Sequence, residues 1–252
     1  MKPEEPTARE LIRRALEAEA ELEPPTTPKE WGFVIYRCTY QSQEKWEKFI
    51  STIQELAKEH LEQDCDQDLW ETLQWTIIED PELDGASYAE ASRWHDKWVQ
   101  CELGRDKYRL HARIVGRTLD EYFERGAIIR HGYFIHVDED VLESFKAYYK
   151  TLTGSFFTLV SHDRTRIQRA VREMHARKSA GELLPEDEIL EYRYGDVSVE
   201  DMSVDVDFDE RRMYWQRFKA WDLVVAYAAL LEIQWDEFYV DDEEICQIFH
   251  VS

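Results

Sequence analysis

An α+β fold follows from two features of the sequence. Strand-like and helix-like stretches alternate from Trp31 to Val160. The strand-like ones are rich in aromatic and β-branched residues, while the stretches between them space their apolar residues for helices. The order is strand, helix, strand, inserted helix, strand, helix, strand. Without the insertion this is βαββαβ, the ferredoxin-like split βαβ arrangement, with one helical layer on an antiparallel sheet and the first and third strands at its centre. The predicted organisation is a helical arm with a Pro-rich linker over residues 1–29, a ferredoxin-like core over 30–165, and an acidic α+β C-terminal extension over 166–252 packed on that core.

Each element has a local reason. Thr7 with Glu10 three residues on is a capping box, and Leu11, Ala15, Ala18 and Leu22 form the apolar stripe of a helix from Thr7 to about Glu21. Glu23-Pro-Pro-Thr-Thr-Pro28 cannot continue it, because clustered prolines lack the amide donor and force extended backbone. The stretch from Trp31 to Tyr40 holds one charge, Arg37, and reads as the opening strand. Trp46, Phe49, Ile50, Ile53, Leu56, Ala57 and Leu61 then mark a helix from Glu44 to about Glu62. A second strand is expected from about Leu73 to Glu79, stopped by Asp80-Pro81, and a helix from about Tyr88 to Cys101. Tyr108 to Val115 has strand character and Leu119 to Phe123 helix character. His131 to Asp138 reads as a strand, Val141 to Tyr149 as a helix with Leu142, Phe145 and Tyr149 along one face, and Ser155 to Val160 as a strand.

The remainder is patterned by charge. Arg164 to Lys178 reads as a basic amphipathic helix, and Glu182 to Glu210 carries twelve acidic residues against one basic residue, Arg193, so the two stretches can neutralise each other. Val204, Val206 and Phe208 alternate with Asp205, Asp207 and Asp209 as in a strand with one wet face. Met213 to Glu232, rich in Trp and Tyr and then almost wholly apolar, reads as a helix buried against the core.

The 252 residues carry 31 basic and 54 acidic side chains, a net charge of −23. Such a field repels phosphate backbones and anionic lipid, which disfavours nucleic acid as a partner. The longest apolar run, Leu223 to Leu231, is far shorter than the roughly 20 residues of a membrane helix. The N-terminal residues lack the apolar core of a secretory signal and are too acidic for a transit peptide. Cys38, Cys65, Cys101 and Cys246 lie far apart with no CxxC pair, so reduced and mostly buried thiols are expected. Together these features describe a soluble, cytoplasmic protein.

Three stretches, Trp31 to Tyr40, Tyr133-Phe-Ile-His-Val-Asp-Glu-Asp140 and the Trp-rich tail from Tyr214 to Ile245, carry a resemblance. The chain after residue 30 resembles an expanded family of uncharacterised cytosolic proteins of filamentous fungi. The likeness is one of overall pattern and brings no catalytic signature, so it implies no functional residue.

Candidate site residues come from the residues themselves. His136-Val-Asp138 puts an imidazole and a carboxylate on one strand face, the start of a non-haem iron site for which His162 or His175 would supply a third ligand. That site normally sits in a many-stranded β-helix, so a hydrogen-bonded His136 and a helix-capping Asp138 or Asp140 is the plainer reading, and no cofactor or metal is assigned. Asp205, Asp207 and Asp209 imitate a calcium loop, but Glu210 replaces its Gly and Gln216 its closing Glu. Tyr133 and Phe134 are adjacent and point to opposite faces, unlike the stacking pair of an RNA-binding sheet.

Arg37, Trp75, His131 and His136 are candidates to line a cavity between sheet and helices. Antiparallel first and third strands would set His136 near the Trp31 end and Arg37 near His131, at separate sites. Trp46, Trp70, Trp94, Trp98, Trp215, Trp221 and Trp235 suit core packing better than a ligand platform. No phosphate loop, nucleophile elbow or HExxH motif is present. The expected function is a non-enzymatic module that binds a protein partner or itself. The alternative is a small-molecule enzyme or accessory protein of fungal specialised metabolism, with a pocket between sheet and helices.

Overall fold

The computed structural model describes residues 7–21, 31–63, 67–114, 127–145, 154–161 and 215–231, with short pieces at 176–177, 179–180, 193–194 and 197–198. Helix α1 (Ala8–Glu21) opens on the capping box read from the sequence: Thr7 N donates to Glu10 Oε2 at 2.8 Å and Glu10 N to Thr7 Oγ1 at 3.3 Å. Strand β1 (Val34–Arg37), helices α2 (Gln43–Gln63) and α3 (Gln67–Thr72), and strand β2 (Thr76–Ile78) follow. A 3-10 turn at Pro81–Leu83 leads into α4 (Tyr88–Ile114), and then come α5 (Ala127–Gly132), β3 (Tyr133–Val137), α6 (Glu139–Ser144) and β4 (Phe156–Ser161). A two-residue ladder pairs β5 (Arg193–Tyr194) with β6 (Val197–Ser198), and β7 (Trp215–Lys219) and α7 (Leu223–Ala229) complete the described elements.

The fold is α+β, with a mixed five-stranded sheet in the order β2-β1-β3-β4-β7. Strand β1 runs parallel to both β2 and β3, while β4 is antiparallel to β3 and to β7. This corrects the ferredoxin-like expectation of a wholly antiparallel sheet with its own strand order. Parallel neighbours need crossover connections, and α2 with α3 supplies one and α4 with α5 the other. The second crossover is long because α4 continues to Ile114, through most of the stretch read as a strand from Tyr108.

Helices lie on both faces, where a single layer was expected. Phe33, Ile35, Ile135, Val137, Phe157, Leu159 and Phe218 point to one face and pack with α1, α2, α6 and α7. Their alternates Val34, Tyr36, Phe134 and Val160 form a smaller cluster with Leu83, Ala91, Trp94 and Trp98 under α4. Helix α1 docks on α7, with Ile12 fully buried in the larger cluster. Residues 215–219, expected as helix within the C-terminal extension, are the fifth strand instead. Phe218 faces the core and stacks on Phe157 at 5.6 Å, a burial that only the two-residue period of a strand achieves beside wetter Arg217 and Lys219.

At the start of β1, Gly32 has φ +129°, and a Cβ there would lie 2.4 Å from the Gln74 carbonyl oxygen. Glycine is required by this close approach of two backbones, where Gln74 N donates to Trp31 O at 2.8 Å. Leu119 to Phe123 and the alternating residues 204–208 lie outside the described residues, as does nearly all of the basic stretch 164–178. Among the described residues no helix is long and apolar enough to cross a membrane.

Candidate functional site

In an open sheet whose neighbouring parallel strands send their connections in opposite directions, ligands bind beyond the carboxyl ends of those strands. Here that point lies between β1, which leads to β2 on one side, and β3, which leads to β4 on the other. Parallel pairing aligns Tyr36 with His136 and Arg37 with Val137. Arg37 and His136 therefore stand at the same end of the sheet, which corrects the antiparallel placement, but successive side chains alternate and the two lie on opposite faces.

On the α2 face the switch point is closed by the chain's own side chains. Lys45 of α2 pairs with Glu139 and Glu143 of α6, and Thr39 Oγ1 donates to Glu139 Oε2 at 3.2 Å. Arg37 is buried beside them. Its Nε donates to Thr39 O at 3.0 Å and its Nη1 to Gln43 Oε1 at 2.8 Å and to Glu79 Oε1 at 2.9 Å, and its guanidinium lies 4.3 Å from the Tyr40 ring centre. Both helix N-termini that would receive a phosphate are already capped, by Ser42 Oγ on α2 and Asp138 on α6, and flanked by carboxylates. Tyr40 Oη is the exception in this corner, buried with no well-formed hydrogen bond among the described residues. Trp75 is half-buried against the same side of the core.

The α4 face is different. One cross-strand row holds Ile78, Tyr36, His136, Thr158 and Arg217, from β2 to β7. Tyr36 is satisfied: its Oη lies 3.3 Å from His95 Nδ1, while His95 Nε2 lies 3.0 Å from the His131 carbonyl oxygen. A carbonyl can only accept, so His95 carries its proton on Nε2 and Nδ1 accepts from the phenol. Burial pushes the Tyr36 phenol well above its ordinary value and, with the Asp138 carboxylate adding to it, pushes the Cys38 thiol up to about 12. Neither is a nucleophile near neutral pH. His131 belongs to α5 rather than to a strand, and its ring sits 5.8 Å from Trp98, at the opposite end of β3 from His136.

The next three positions carry orphaned atoms. His136 is 3% exposed and Thr158 1%. His136 Nδ1, Thr158 Oγ1 and Arg217 Nε are all buried with no hydrogen-bond partner among the described residues. His136 Nε2 lies 2.8 Å from the Ala86 carbonyl oxygen, which assigns the proton to Nε2 and leaves Nδ1 a bare acceptor. Burial holds the ring below the ordinary histidine value, against the opposite pull of the Ala86 carbonyl and the Asp138 carboxylate, so it is neutral at pH 7. Asp138 Oδ2 stands 3.9 Å from Nδ1, and the other oxygen caps α6 by accepting from Val141 N at 3.0 Å. The capping reading of Asp138 holds. Arg217 Nη2 is 3.2 Å from Asp140 Oδ2, and its guanidinium lies 4.4 Å over Phe156 and 5.8 Å from Trp215. Tyr88 closes the group, 4.6 Å from the His136 ring and 5.2 Å from Trp215.

Of the residues chosen from sequence, the structure thus brings together His136 and Asp138, and leaves Arg37 and Trp75 on the far face and His131 at the far end of β3. It adds Thr158, Arg217, Tyr88 and Trp215. Arg217 carried no strand signal because its stretch was read as helix, and Thr158 is one small hydroxyl in a largely apolar strand. As a donor and acceptor set, the row can take a hydrogen bond at His136 Nδ1, give one from Arg217 Nε and do either at Thr158. Among the described residues no group of three or more His, Cys, Asp or Glu could hold a metal ion, and His162 and His175 lie outside those residues. No protein-family model matches the chain, no curated protein matches its sequence, and no solved structure matches its fold.

Proposed function

We propose that this chain binds a small molecule on the α4 face, as an accessory protein or enzyme of small-molecule chemistry, with the ligand over His136, Thr158 and Arg217. One observation carries the reading: three neighbouring positions of one cross-strand row each hold a buried polar atom without a partner among the described residues. An unsatisfied buried donor or acceptor costs about 1–3 kcal/mol, so three in a row are a set held for something that completes them. The depressed basicity of His136 suits an acceptor of a hydrogen bond better than a general base, which works best with a pKa near the operating pH. Binding is therefore favoured over proton transfer.

The protein-interaction reading has less to rest on. Its described apolar candidates are Ile77, 38% exposed on edge strand β2, and Trp221, 46% exposed after β7 at the other edge. Single apolar side chains at opposite edges do not make a docking patch.

The test is histidine-ring NMR of the whole protein during a screen of chemically diverse small polar fragments. Binding at the row is expected to move the His136 nitrogen signals while those of His131, at the other end of β3, stay in place. A screen in which no fragment moves His136 overturns the proposal.

A further inference from the structure

The site just proposed also restricts its ligand, and the following rests on that site. We infer that the ligand is a neutral, planar carbonyl compound with a hydrogen-bond donor at its far end, of the hydroxyaryl ketone or amide class, rather than an organic anion or a phosphate.

Hydrogen-bond polarity sets the two ends. His136 Nδ1 is an acceptor with its tautomer fixed by Ala86, so the ligand must present a donor there. Arg217 Nε is a donor and Thr158 Oγ1 can be one, so the ligand must present an acceptor oxygen at the other end. Adjacent strands lie about 5 Å apart, so the row from His136 to Arg217 spans roughly 10 Å. That figure is a backbone spacing, and a para-substituted six-membered ring with a polar group at each end has the elongated shape that reaches from one side chain towards the other.

Charge decides between a carbonyl and a carboxylate. Arg217 is the cation of the row, and Asp140 already engages its Nη2. That leaves Nε to give a single hydrogen bond instead of the paired bonds a carboxylate takes from a guanidinium. Asp138 adds a second carboxylate 3.9 Å from His136, whose ring is neutral, and the chain as a whole carries −23. Among the described residues a ligand anion would meet no uncompensated positive charge at this row, and its burial would cost far more than that of a neutral carbonyl. Flatness follows from the walls: half-buried Tyr88, Trp215 and Phe156 stand along the row, and Tyr88 and Trp215 are inclined by only 33°. Aromatic faces of this kind favour an offset-stacked planar guest.

The experiment is calorimetric titration of the full chain with 4-hydroxyacetophenone, acetophenone and 4-hydroxybenzoate, each with the His136 ring signals followed in parallel. The hydroxyketone is expected to bind and move His136, and loss of its hydroxyl or replacement of its ketone by carboxylate is expected to weaken binding at least tenfold. Thr158→Val and Arg217→Met should each weaken the hydroxyketone about tenfold. Asp140→Asn, at an exposed position, should free the Arg217 charge and strengthen the benzoate relative to the ketone. Equal or tighter binding of the benzoate by the unaltered protein overturns the ligand class and leaves the site standing. The class also fails, and the site stands, if none of the three binds while an unrelated fragment moves His136. Binding that leaves His136 unmoved overturns both.

Discussion

The same end of the sheet carries two polar groups that the chain treats in opposite ways. On the α2 face, Arg37, Lys45, Thr39, Gln43, Glu79, Glu139 and Glu143 satisfy one another and lock β1, α2 and α6 together, with Tyr40 Oη beside them left as an exception. On the α4 face, a strand's thickness away, His136, Thr158 and Arg217 each keep a buried polar atom without a partner among the described residues. Paired members of a buried polar network add rigidity and specificity, while unpaired ones lower stability, so the contrast separates a structural corner from the proposed site. The more obviously charged group is the structural one. The quieter row is where the proposed ligand would have something to add.

The contrast makes opposite forecasts for truncation. Arg37→Met should be the most damaging change, costing about 2 kcal/mol in urea denaturation, because buried hydrogen bonds from a charged donor are lost and the Thr39 carbonyl loses its partner. A cost near zero would mean that the corner is not structural. Thr158→Val should move the other way and stabilise the protein by about 1 kcal/mol, since a buried hydroxyl with no partner is replaced by a methyl group. Destabilisation on the same scale would show that the hydroxyl is satisfied in solution and would erase the contrast.

Lys45→Met should cost about 0.5 kcal/mol, and less at high salt, because its ion pairs to Glu139 and Glu143 are only half-buried. A cost that ignores salt would assign the lysine to packing. The finest comparison is with pH. His136 is held below its ordinary value of 6.5 in the folded state, so as the pH falls through 6.5 the unfolded chain takes up a proton that the folded one still refuses. Stability is thus full above pH 6.5 and is lost as the pH falls towards the depressed folded value. His136→Gln should lack that component, so the stability difference between the two proteins should stay constant above pH 6.5 and change below it. Parallel profiles throughout would show that the ring protonates freely and is not buried as described.

Much of the fold was legible. The capping box at Thr7 and Glu10, the α2 stripe from Trp46 to Leu61 and the Asp138 cap are local matters, decided by residues within a turn or two of each other, and each stands where the sequence puts it. The mixed sheet also left a trace that alternation alone would miss. Phe33-Val-Ile-Tyr36 is apolar without a break, and Phe134 to Val137 is broken only by His136, as strands covered on both faces require. The second half of α4 was hidden by its charges and Gly104, which leave no apolar stripe, and five residues at Trp215–Lys219 are too few to tell a period of two from one of 3.6.

What the sequence determined by itself was the kind and place of most elements, the net charge of −23, and the candidacy of His136 with Asp138. Only the tertiary structure decided that β3 runs parallel to β1, that Arg37 is consumed by its own neighbours, and that Thr158 and Arg217 join His136 in one row. The reason is physical. Helix stripes and caps depend on residues a few positions apart, whereas strand direction and cross-strand registry depend on where long crossovers return the chain. That return sets His136, Thr158 and Arg217 side by side, although they are far apart in sequence.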